Sequence, residues 1–471
     1  MRKVFQLGFG KTQNEIKLNN LPVQGKLPSW LEGSLIRNGP GTFYVAEQRY
    51  NHWFDGLAML HLFTFSRGKV SYMNKYLRCK AYDEAMSSGK ISYSEFATDP
   101  CYSIFERAKN VFSPKLTDSA KVNIAKIGEK FLALGETPMQ IEFDPETLDS
   151  VGVFNYDNRV SQHITTVHPQ YDPQENRTYQ ITTRFGRISR YRILDVQTHR
   201  SPRLIASQPV KEPAYMHSFG MSPNYFILTE FPFVVYPLKI LLSGRPFIEN
   251  FKWKPENGTP FHVFERATGK RIHSFEAEPF FSFHHVNAFE DKGNLFIDLV
   301  AYPDTDIIQS FYLKRITEAS IPLPGGEFRR YRIDLKSKAP LSYETFSKAN
   351  LELPRFDTEG YQMQKDYQYV YGVSIHHQHP FSFYNQLVKL DLKKNQSKIW
   401  YQSRCFPGEP VFIGSPEKKQ EDQGVILSIV LDENKGNSFL LVLDAFSFEE
   451  VARAEIPHPV LFGYHGEFFK V

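Results

Sequence analysis

Histidine is the residue type in this chain with the clearest capacity for metal chemistry, because a neutral imidazole nitrogen binds iron, zinc, copper or nickel. Four of the 15 histidines lie beside aromatic, apolar or small residues at the edges of predicted strands, which suits buried positions. One buried histidine is usually a hydrogen-bonded core residue, but four are difficult to satisfy without a shared purpose. His465 is also the seventh residue from the C-terminus, where chains usually fray, so we expect a metal to hold this tail in the fold. The four candidates are His168, His217, His284 and His465.

A denser cluster, His376-His377-Gln378-His379, offers a second possibility for metal binding. In an extended strand, His377 and His379 would share one face. A carboxylate or a distant ligand would still be needed to complete the site, and surface clusters of histidine are common. We therefore expect no functional metal there.

The strand pattern indicates which elements must position these side chains. Short runs rich in β-branched and aromatic residues recur between Gly, Pro, Asn or Asp, while a 3.6-residue apolar period is weak and is best over 101–112. Turn sequences at 291–294 and 432–437 join neighbouring runs into hairpins. Hairpins along the whole chain, without a flexible linker, favour one closed radial fold, so the pattern predicts an all-β protein and a β-propeller. The clearest predicted strands are 61–65, 178–183, 225–229, 295–300, 369–373 and 439–443.

Length and composition limit the remaining possibilities. We expect residues 1–471 to form a single domain, because β-architectures often exceed the usual domain length. The 41 Phe and 25 Tyr residues fit either a β-rich fold or an aromatic-lined cavity, and the two are compatible. The net charge of +4 is small, and Lys and Arg are scattered rather than clustered, which argues against nucleic acid as a partner.

Cysteine usage and the N-terminal sequence predict a cytoplasmic protein. Cys79, Cys101 and Cys405 are few and far apart, so a disulfide framework is not expected and a reducing compartment is. The first ten residues are basic but lack the sustained apolar run of a signal peptide.

Two apolar stretches, 101–112 and 231–242, are too short and irregular to span a bilayer. One interpretation is a surface patch, including Phe231, Phe233 and Val234, that dips into one leaflet of a membrane. The other is a pair of buried loops that pack on the core. The sequence leaves both interpretations open.

Several long motifs resemble those of the carotenoid cleavage oxygenase family, and the resemblance covers almost the whole chain. The N-terminal motifs are Leu-Glu-Gly-Ser-Leu-Ile-Arg-Asn-Gly-Pro-Gly at 31–41 and Trp-Phe-Asp-Gly-Leu-Ala-Met-Leu-His at 53–61. The C-terminal motifs are 408–412, 421–428 and 463–466. The chain is most similar to the metazoan-type branch, which includes β-carotene oxygenases and the retinoid isomerohydrolase of the visual cycle.

The resemblance implies a seven-bladed β-propeller with loops and short helices that form a cap over an axial iron site. One ferrous ion per chain would be held by His168, His217, His284 and His465. Three glutamates would each accept a hydrogen bond from the outer ring N–H of a ligand, which fixes the tautomer and offsets the charge of the metal. These glutamates correspond to Glu136, Glu352 and Glu409.

The implied activity is cleavage of a conjugated C=C bond of a carotenoid or apocarotenoid by O2, giving aldehyde or ketone products. A tunnel lined by aromatic rings would bury the apolar polyene and stabilise cationic character during cleavage. Such a substrate dissolves in lipid, which agrees with peripheral membrane contact. Many members carry a Thr near the open iron position, where this chain is expected to have Val122. The candidate lining residues are Phe54, Phe96, Val122, Phe283 and Tyr464.

Three other functions compete with this one. A stilbene-cleaving dioxygenase would need a Lys and Tyr pair near iron for the phenol, which the sequence does not place. A retinoid ester isomerohydrolase would need no oxygen, and an apolar residue at position 122 suits it too. A carotenoid-binding propeller without activity is disfavoured, because no residue of the histidine and glutamate set is missing.

Overall fold

Seven antiparallel sheets form the blades of a β-propeller in the computed structural model of this chain. The structure describes residues 5–11, 14–100, 117–154, 163–198, 200–318, 322–336, 341–347 and 349–470. The predicted all-β, seven-bladed fold is confirmed. The segment 101–112, which carries the best helical period and one of the two apolar stretches, lies outside the described residues.

The blades are numbered in chain order, with the strand nearest the axis given first. Blade 1 contains Gly466–Phe469, Gly33–Thr42, Leu57–Ser66, Lys69–Tyr76 and Lys17–Leu18. Blade 2 contains Asn123–Ile127, Lys130–Leu134, Ile141–Phe143 and Ser150–Val153. Blade 3 contains Ile164–Thr165 and Gln170–Asp172, then Arg177–Arg184, Ser189–Gln197 and Arg200–Val210. Blade 4 contains Gly220–Met221, Tyr225–Thr229, Thr259–Glu265 and Arg271–Ala277.

The remaining blades follow the same order. Blade 5 contains His285–Asp291, Asn294–Ala301, Glu327–Asp334 and Ser342–Thr345. Blade 6 contains Glu352–Arg355, Tyr369–Ser374, Gln386–Asp391 and Gln396–Tyr401. Blade 7 contains Cys405–Pro407 and Val411–Gly414, then Gly424–Asp432, Asn437–Asp444, Glu450–Ile456 and Val23–Gly25. Two small ribbons pair Tyr44–Val45 with Gln48–Arg49 and Phe233–Val234 with Lys252–Trp253.

Turn chemistry explains why neighbouring runs become hairpins. Asp291 pairs with Asn294 in blade 5, so the loop between these strands has two residues. Lys292 and Gly293 both have positive φ, at 48° and 79°. This is the backbone geometry that matches the right-handed twist of the flanking strands. All six of the clearest predicted strands lie within observed strands.

Both ends of the described chain close the ring. The strand Gly466–Phe469 pairs with Gly33–Thr42 at the axial side of blade 1. Val23–Gly25 pairs with Glu450–Ile456 at the outer side of blade 7. Backbone pairing therefore holds the C-terminal tail beside the axis, in addition to any metal.

Helices are short and lie in the connections between strands. None of those within the described ranges is long and apolar enough to cross a membrane. In the part of the chain that the structure describes, the α-helices are Lys80–Ser88, Pro237–Leu242, Asp306–Ser310, Leu313–Glu318 and Thr358–Tyr361, and the 3-10 helices are Gln6–Phe9, Phe247–Asn250 and Pro255–Asn257.

The apolar stretch 231–242 divides into a buried half and an exposed half. Phe231, Phe233 and Val234 are buried in the core, so of the two interpretations the buried loop is confirmed for these residues and the surface patch is wrong. Phe231 and Phe233 both pack on the ring of Phe281, at centroid distances of 5.7 and 6.1 Å. The helix Pro237–Leu242 that follows carries the exposed apolar side chains.

Candidate metal centre and adjoining cavity

The four candidate histidines meet at one point. His168, His217, His284 and His465 each offer a nitrogen, and these nitrogens all lie within 4.8 Å of one another. The ring of His168 is 4.4 to 5.1 Å from the other three rings, measured between centroids. Among the described residues, no other group of three or more histidine, cysteine or acidic side chains has this geometry, and the cluster at 376–379 is not one.

The propeller places equivalent positions of different blades together, because the innermost strands all start near the axis. Each blade contributes one residue at the start of its innermost strand or shortly before it. In blades 3 and 7, where two short segments form the innermost strand, the residue lies between these segments. Histidine occupies this position in blades 1, 3, 4 and 5, glutamate in blades 6 and 7, and valine in blade 2. In blade order the residues are His465, Val122, His168, His217, His284, Glu352 and Glu409.

Three of the imidazoles are fixed by carboxylates. The Nδ1 atoms of His217, His284 and His465 lie 2.9, 2.7 and 2.8 Å from carboxylate oxygens. Because Nδ1 donates to the carboxylate, Nε2 is the unprotonated nitrogen and turns toward the common point. The partners, in the same order, are Glu136, Glu352 and Glu409.

His168 is held differently. Its Nδ1 lies 3.5 Å from Nδ2 of Asn123, and no carboxylate of the described residues contacts it. The same Asn123 amide donates to the carbonyl oxygen of Val167 at 2.8 Å. His168 is therefore oriented mainly by its backbone rather than by an acidic partner.

The three glutamates are in turn anchored by residues that the sequence did not indicate. The Tyr302 hydroxyl donates to Glu352 at 2.8 Å, and the Tyr215 hydroxyl donates to Glu136. Arg37 forms a buried ion pair with Glu409 and also donates to the carbonyl oxygen of Tyr464 at 2.8 Å. Arg37 lies in the 31–41 motif, which is the one signal that could have pointed to it.

Burial favours the neutral form of three of the imidazoles. It lowers the pKa of His217, and it lowers the pKa of His168 and His465 well below the ordinary value, with a further contribution from the neighbouring imidazoles. For Glu352, burial acts to raise the pKa, but the contact with His284 and the hydrogen bonds outweigh it, so this pKa is lowered. At neutral pH the site thus presents neutral nitrogen donors at His168, His217 and His465, and an ionised carboxylate at Glu352.

The donor atoms fit a bound cation. Nε2 of His284 and Nε2 of His465 lie 3.3 Å apart, although both Nδ1 atoms donate elsewhere and neither Nε2 carries a proton. Nε2 of His168 is buried and has no hydrogen-bond partner. The unshared lone pairs of His284 and His465 repel each other at 3.3 Å unless a positive ion lies between them.

A cavity of about 1110 Å³ adjoins the centre. His217, His284 and His465 contribute to its wall, and so do all five residues that the sequence placed near the metal: Phe54, Phe96, Val122, Phe283 and Tyr464. The ring of Phe54 is central, at 5.2 Å from Phe96, 5.5 Å from Phe283 and 5.7 Å from Tyr464. These spacings are typical of edge-to-face packing, which gives a rigid apolar wall.

Other parts of the wall were not predicted. Trp53, Phe311 and Tyr384 extend the aromatic surface, and the helix Pro237–Leu242 lies at the mouth. A separate polar part contains Glu95 and Lys121. Aromatic abundance indicated that rings would line a cavity, but nothing in the local sequence indicated a buried charged pair there.

The family described as retinal pigment epithelial membrane protein matches residues 9–470, and the chain belongs to this family. Among curated relatives, the mitochondrial carotenoid-cleaving dioxygenase of Macaca fascicularis is 33% identical, over 95% of this chain and 91% of the relative. The β,β-carotene 15,15′-dioxygenase of Homo sapiens is 33% identical, over 98% of this chain and 94% of the relative.

Solved structures support the same fold. A chimera titled ACO/RPE65 superimposes with a TM-score of 0.88 at 23% identity, covering 99% of this chain and 98% of that chain. Cobalt-substituted Synechocystis ACO gives a TM-score of 0.88 at 23% identity with the same coverage. At this identity the likeness concerns the fold.

Proposed function

We propose that this protein is a non-haem iron oxygenase that cleaves a conjugated C=C bond of a carotenoid or apocarotenoid with O2, giving aldehyde or ketone products. The observation that carries the proposal is a cluster of four histidine nitrogens at the wall of a large aromatic cavity. The relatives are a carotenoid-cleaving dioxygenase and a β,β-carotene 15,15′-dioxygenase, which favours this reaction over stilbene cleavage and retinoid ester isomerisation. Central cleavage of β-carotene would give retinal.

We infer that the ion is Fe(II), one per chain, held by His168, His217, His284 and His465. Imidazole donors suit several transition metals, and the resemblance to the carotenoid cleavage oxygenases implies iron among them. Bound there, ferrous iron supplies the one-electron chemistry that O2 requires. The protein supplies the geometry, because Glu136, Glu352 and Glu409 hold the tautomers that turn Nε2 inward.

The apolar wall binds and orients the polyene. Phe54, Phe283 and Tyr464 lie on the same wall as the metal-facing histidines, so a conjugated chain in the cavity passes close to the centre. Their ring faces stabilise positive charge that develops on the polyene, and their bulk excludes water. Val122 presents an apolar side chain at the one inner position that carries neither histidine nor glutamate.

We also propose peripheral contact with a membrane at the cavity mouth. Tyr236, Leu238 and Leu242 are 45, 53 and 71% exposed, and all three line the mouth. Lys211 and Arg245 also line it and suit anionic headgroups. A lipid-dissolved substrate could then enter without crossing water. The cytoplasmic location stays a prediction from cysteine usage, and the mitochondrial label belongs to the named relatives.

The test is an anaerobic reconstitution of the full chain with Fe(II). β-Carotene, apocarotenals and resveratrol are added separately, oxygen is admitted, and products are identified by mass. We expect carbonyl fragments from a carotenoid or apocarotenoid and none without oxygen. Cleavage of resveratrol alone would indicate the stilbene reaction, while isomerisation of a retinoid ester without oxygen would indicate the third function. No product from the iron-loaded protein would refute the proposal.

A further inference from the structure

A buried ion pair lies on the wall of the cavity. The Lys121 ammonium donates to Oε2 of Glu95 at 2.6 Å, and the Thr117 hydroxyl donates to Oε1 of the same carboxylate at 2.7 Å. The side chains of Lys121 and Glu95 are only 5 and 3% exposed. All three residues line the cavity that adjoins the metal centre.

Another buried ion pair of the described residues lies away from this cavity. Lys389 and Asp422 lie 2.6 Å apart and are as buried as the cavity pair, but neither lines the cavity. Lys389 also donates to the carbonyl oxygen of Ala445 at 2.7 Å, so its charge serves to connect blades 6 and 7. Desolvating two charges is unfavourable, and an apolar pair of similar size is often as stable. A buried charged pair that lines a cavity therefore suggests a ligand that uses it.

The pair retains hydrogen-bonding capacity toward the cavity. Lys121 has three N–H donors, and among the described residues these donate to Glu95 and, at a long 3.4 Å, to the carbonyl oxygen of Ser119. Each carboxylate oxygen of Glu95 accepts one bond and has a further lone pair. A group that accepts from the ammonium and donates to the carboxylate would satisfy both at once, and a hydroxyl group does both.

We propose that Glu95, Lys121 and Thr117 form a subsite for a hydroxyl group on the end of the polyene, so that the preferred substrate is a hydroxylated carotenoid or an apocarotenol rather than a hydrocarbon. This inference rests on the proposed function. A hydrocarbon end would leave the charged pair desolvated and unused, whereas a hydroxyl gains two charge-assisted hydrogen bonds. Sites built to bond a hydroxyl discriminate strongly against the analogue that lacks it.

The subsite also has a defined relation to the metal centre. Lys121 precedes Val122, whose carbonyl oxygen accepts from the backbone N–H of His465 at 3.2 Å. On the other side, Glu95 precedes Phe96, whose ring packs on Tyr215, the donor to Glu136. A hydroxyl bound by Glu95 and Lys121 is therefore held at a fixed distance from the histidines. It sets how far the polyene slides past them and hence which double bond is presented.

The experiment compares two ligand pairs in which only one member carries a free hydroxyl group: zeaxanthin with β-carotene, and an apocarotenol with its methyl ether. Binding to the metal-free full chain is followed by quenching of tryptophan fluorescence, since Trp53 lines the cavity. Turnover is followed separately with the iron-loaded protein. We expect the hydroxylated member of each pair to bind about 10- to 100-fold more tightly, as hydrogen bonds to charged groups allow.

The decisive variant is the double substitution Glu95→Gln with Lys121→Met, which removes both charges without leaving either one unpaired. We expect it to bind both members of each pair with equal affinity and to give a mixture of cleavage positions. The matched control is Asp422→Asn with Lys389→Met, which removes a pair of the same burial outside the cavity and should keep the preference.

The outcomes separate this inference from the proposed function. Equal binding of both members by the parent protein, with cleavage of β-carotene, would overturn the subsite and leave the oxygenase. A preference for the hydroxylated member without any cleavage would support the subsite and overturn the oxygenase. If the parent prefers the hydroxylated member and the double variant, folded by circular dichroism, keeps that preference, the assignment to Glu95 and Lys121 is wrong.

Discussion

Glu352 offers the sharpest test of how the protein holds its metal. Its carboxylate accepts from Nδ1 of His284 at 2.7 Å, from the backbone N–H of Leu353 at 2.7 Å and from the Tyr302 hydroxyl at 2.8 Å. Glu352→Gln keeps the shape of the side chain but removes its charge. The amide oxygen can still accept from His284, while the Tyr302 hydroxyl can turn to accept from the new NH2 group.

The expected magnitude follows from these bonds. A hydrogen bond to a charged group contributes about 1.5–3 kcal/mol and a neutral one about 0.5–1.5 kcal/mol, so weakening the bond to His284 loses about 1–1.5 kcal/mol. This corresponds to about tenfold in affinity. The variant also lacks a negative charge near the divalent cation, which weakens metal binding further. We therefore expect the Kd for Fe(II) to rise about ten- to hundredfold.

The assay is competition for Fe(II) against a chelator, with thermal unfolding of the metal-free protein measured in parallel. We expect the variant to keep a Tm close to that of the parent, because every hydrogen bond retains a partner. Glu421→Gln is the matched control, since Glu421 is also buried and accepts backbone N–H groups from Gln368 and Tyr369 away from the centre. An unchanged Kd in the Glu352 variant would refute the claim that this carboxylate fixes His284 for the metal.

Three further predictions test other parts of the molecule. His284→Ala should abolish iron binding while circular dichroism shows the fold retained, and a full iron content by metal analysis would contradict the assignment. Burial lowers the pKa of His52 to about 3 in the folded protein, whereas a histidine in the unfolded chain has a pKa near 6.5. Between these two pH values the imidazole is protonated only in the unfolded state, so the unfolded state binds more protons. Denaturant titrations should therefore show the free energy of unfolding falling from about pH 6.5 toward pH 3, and His52 should contribute up to about 1.4 kcal/mol per pH unit to that fall. If the free energy of unfolding of His52→Gln falls as steeply with pH as that of the parent, this contribution of His52 is refuted. The double variant Leu238→Ser with Leu242→Ser should sediment less with anionic liposomes than the parent protein does. The control Ile399→Ser changes an exposed apolar residue on the outer strand of blade 6 and should sediment like the parent. Equal binding by the parent, the double variant and the control would exclude the mouth as the contact.

Much of the fold was predictable because its signals are local. The run Tyr225–Thr229 is a strand in the structure with the bounds that its composition indicated. The turn at 291–294 needs only Lys292 and Gly293 to adopt positive φ. The resemblance to a known family supplied the number of blades, which no repeat in the sequence displays.

The apolar stretch 231–242 shows where local reasoning failed. Composition is the same for a buried loop and a surface patch, and only packing separates them. Phe231 is 1% exposed because the ribbon with Lys252–Trp253 and the ring of Phe281 cover this segment, whereas Leu242 a few residues later is 71% exposed. Contacts with distant residues decide burial, and periodicity over twelve residues cannot supply them.

The strand content, the turns and four histidines suited to buried positions could be read from the chain alone, since each depends on neighbours along the chain. The tertiary structure alone decided that those histidines converge, because ring closure brings His284 and His465 to 3.3 Å although they are 181 positions apart. It also decided that Arg37 would neutralise Glu409 and that Lys121 would meet Glu95 on the cavity wall. Pairings of this kind depend on how the blades are arranged around the axis, and no local pattern encodes that arrangement.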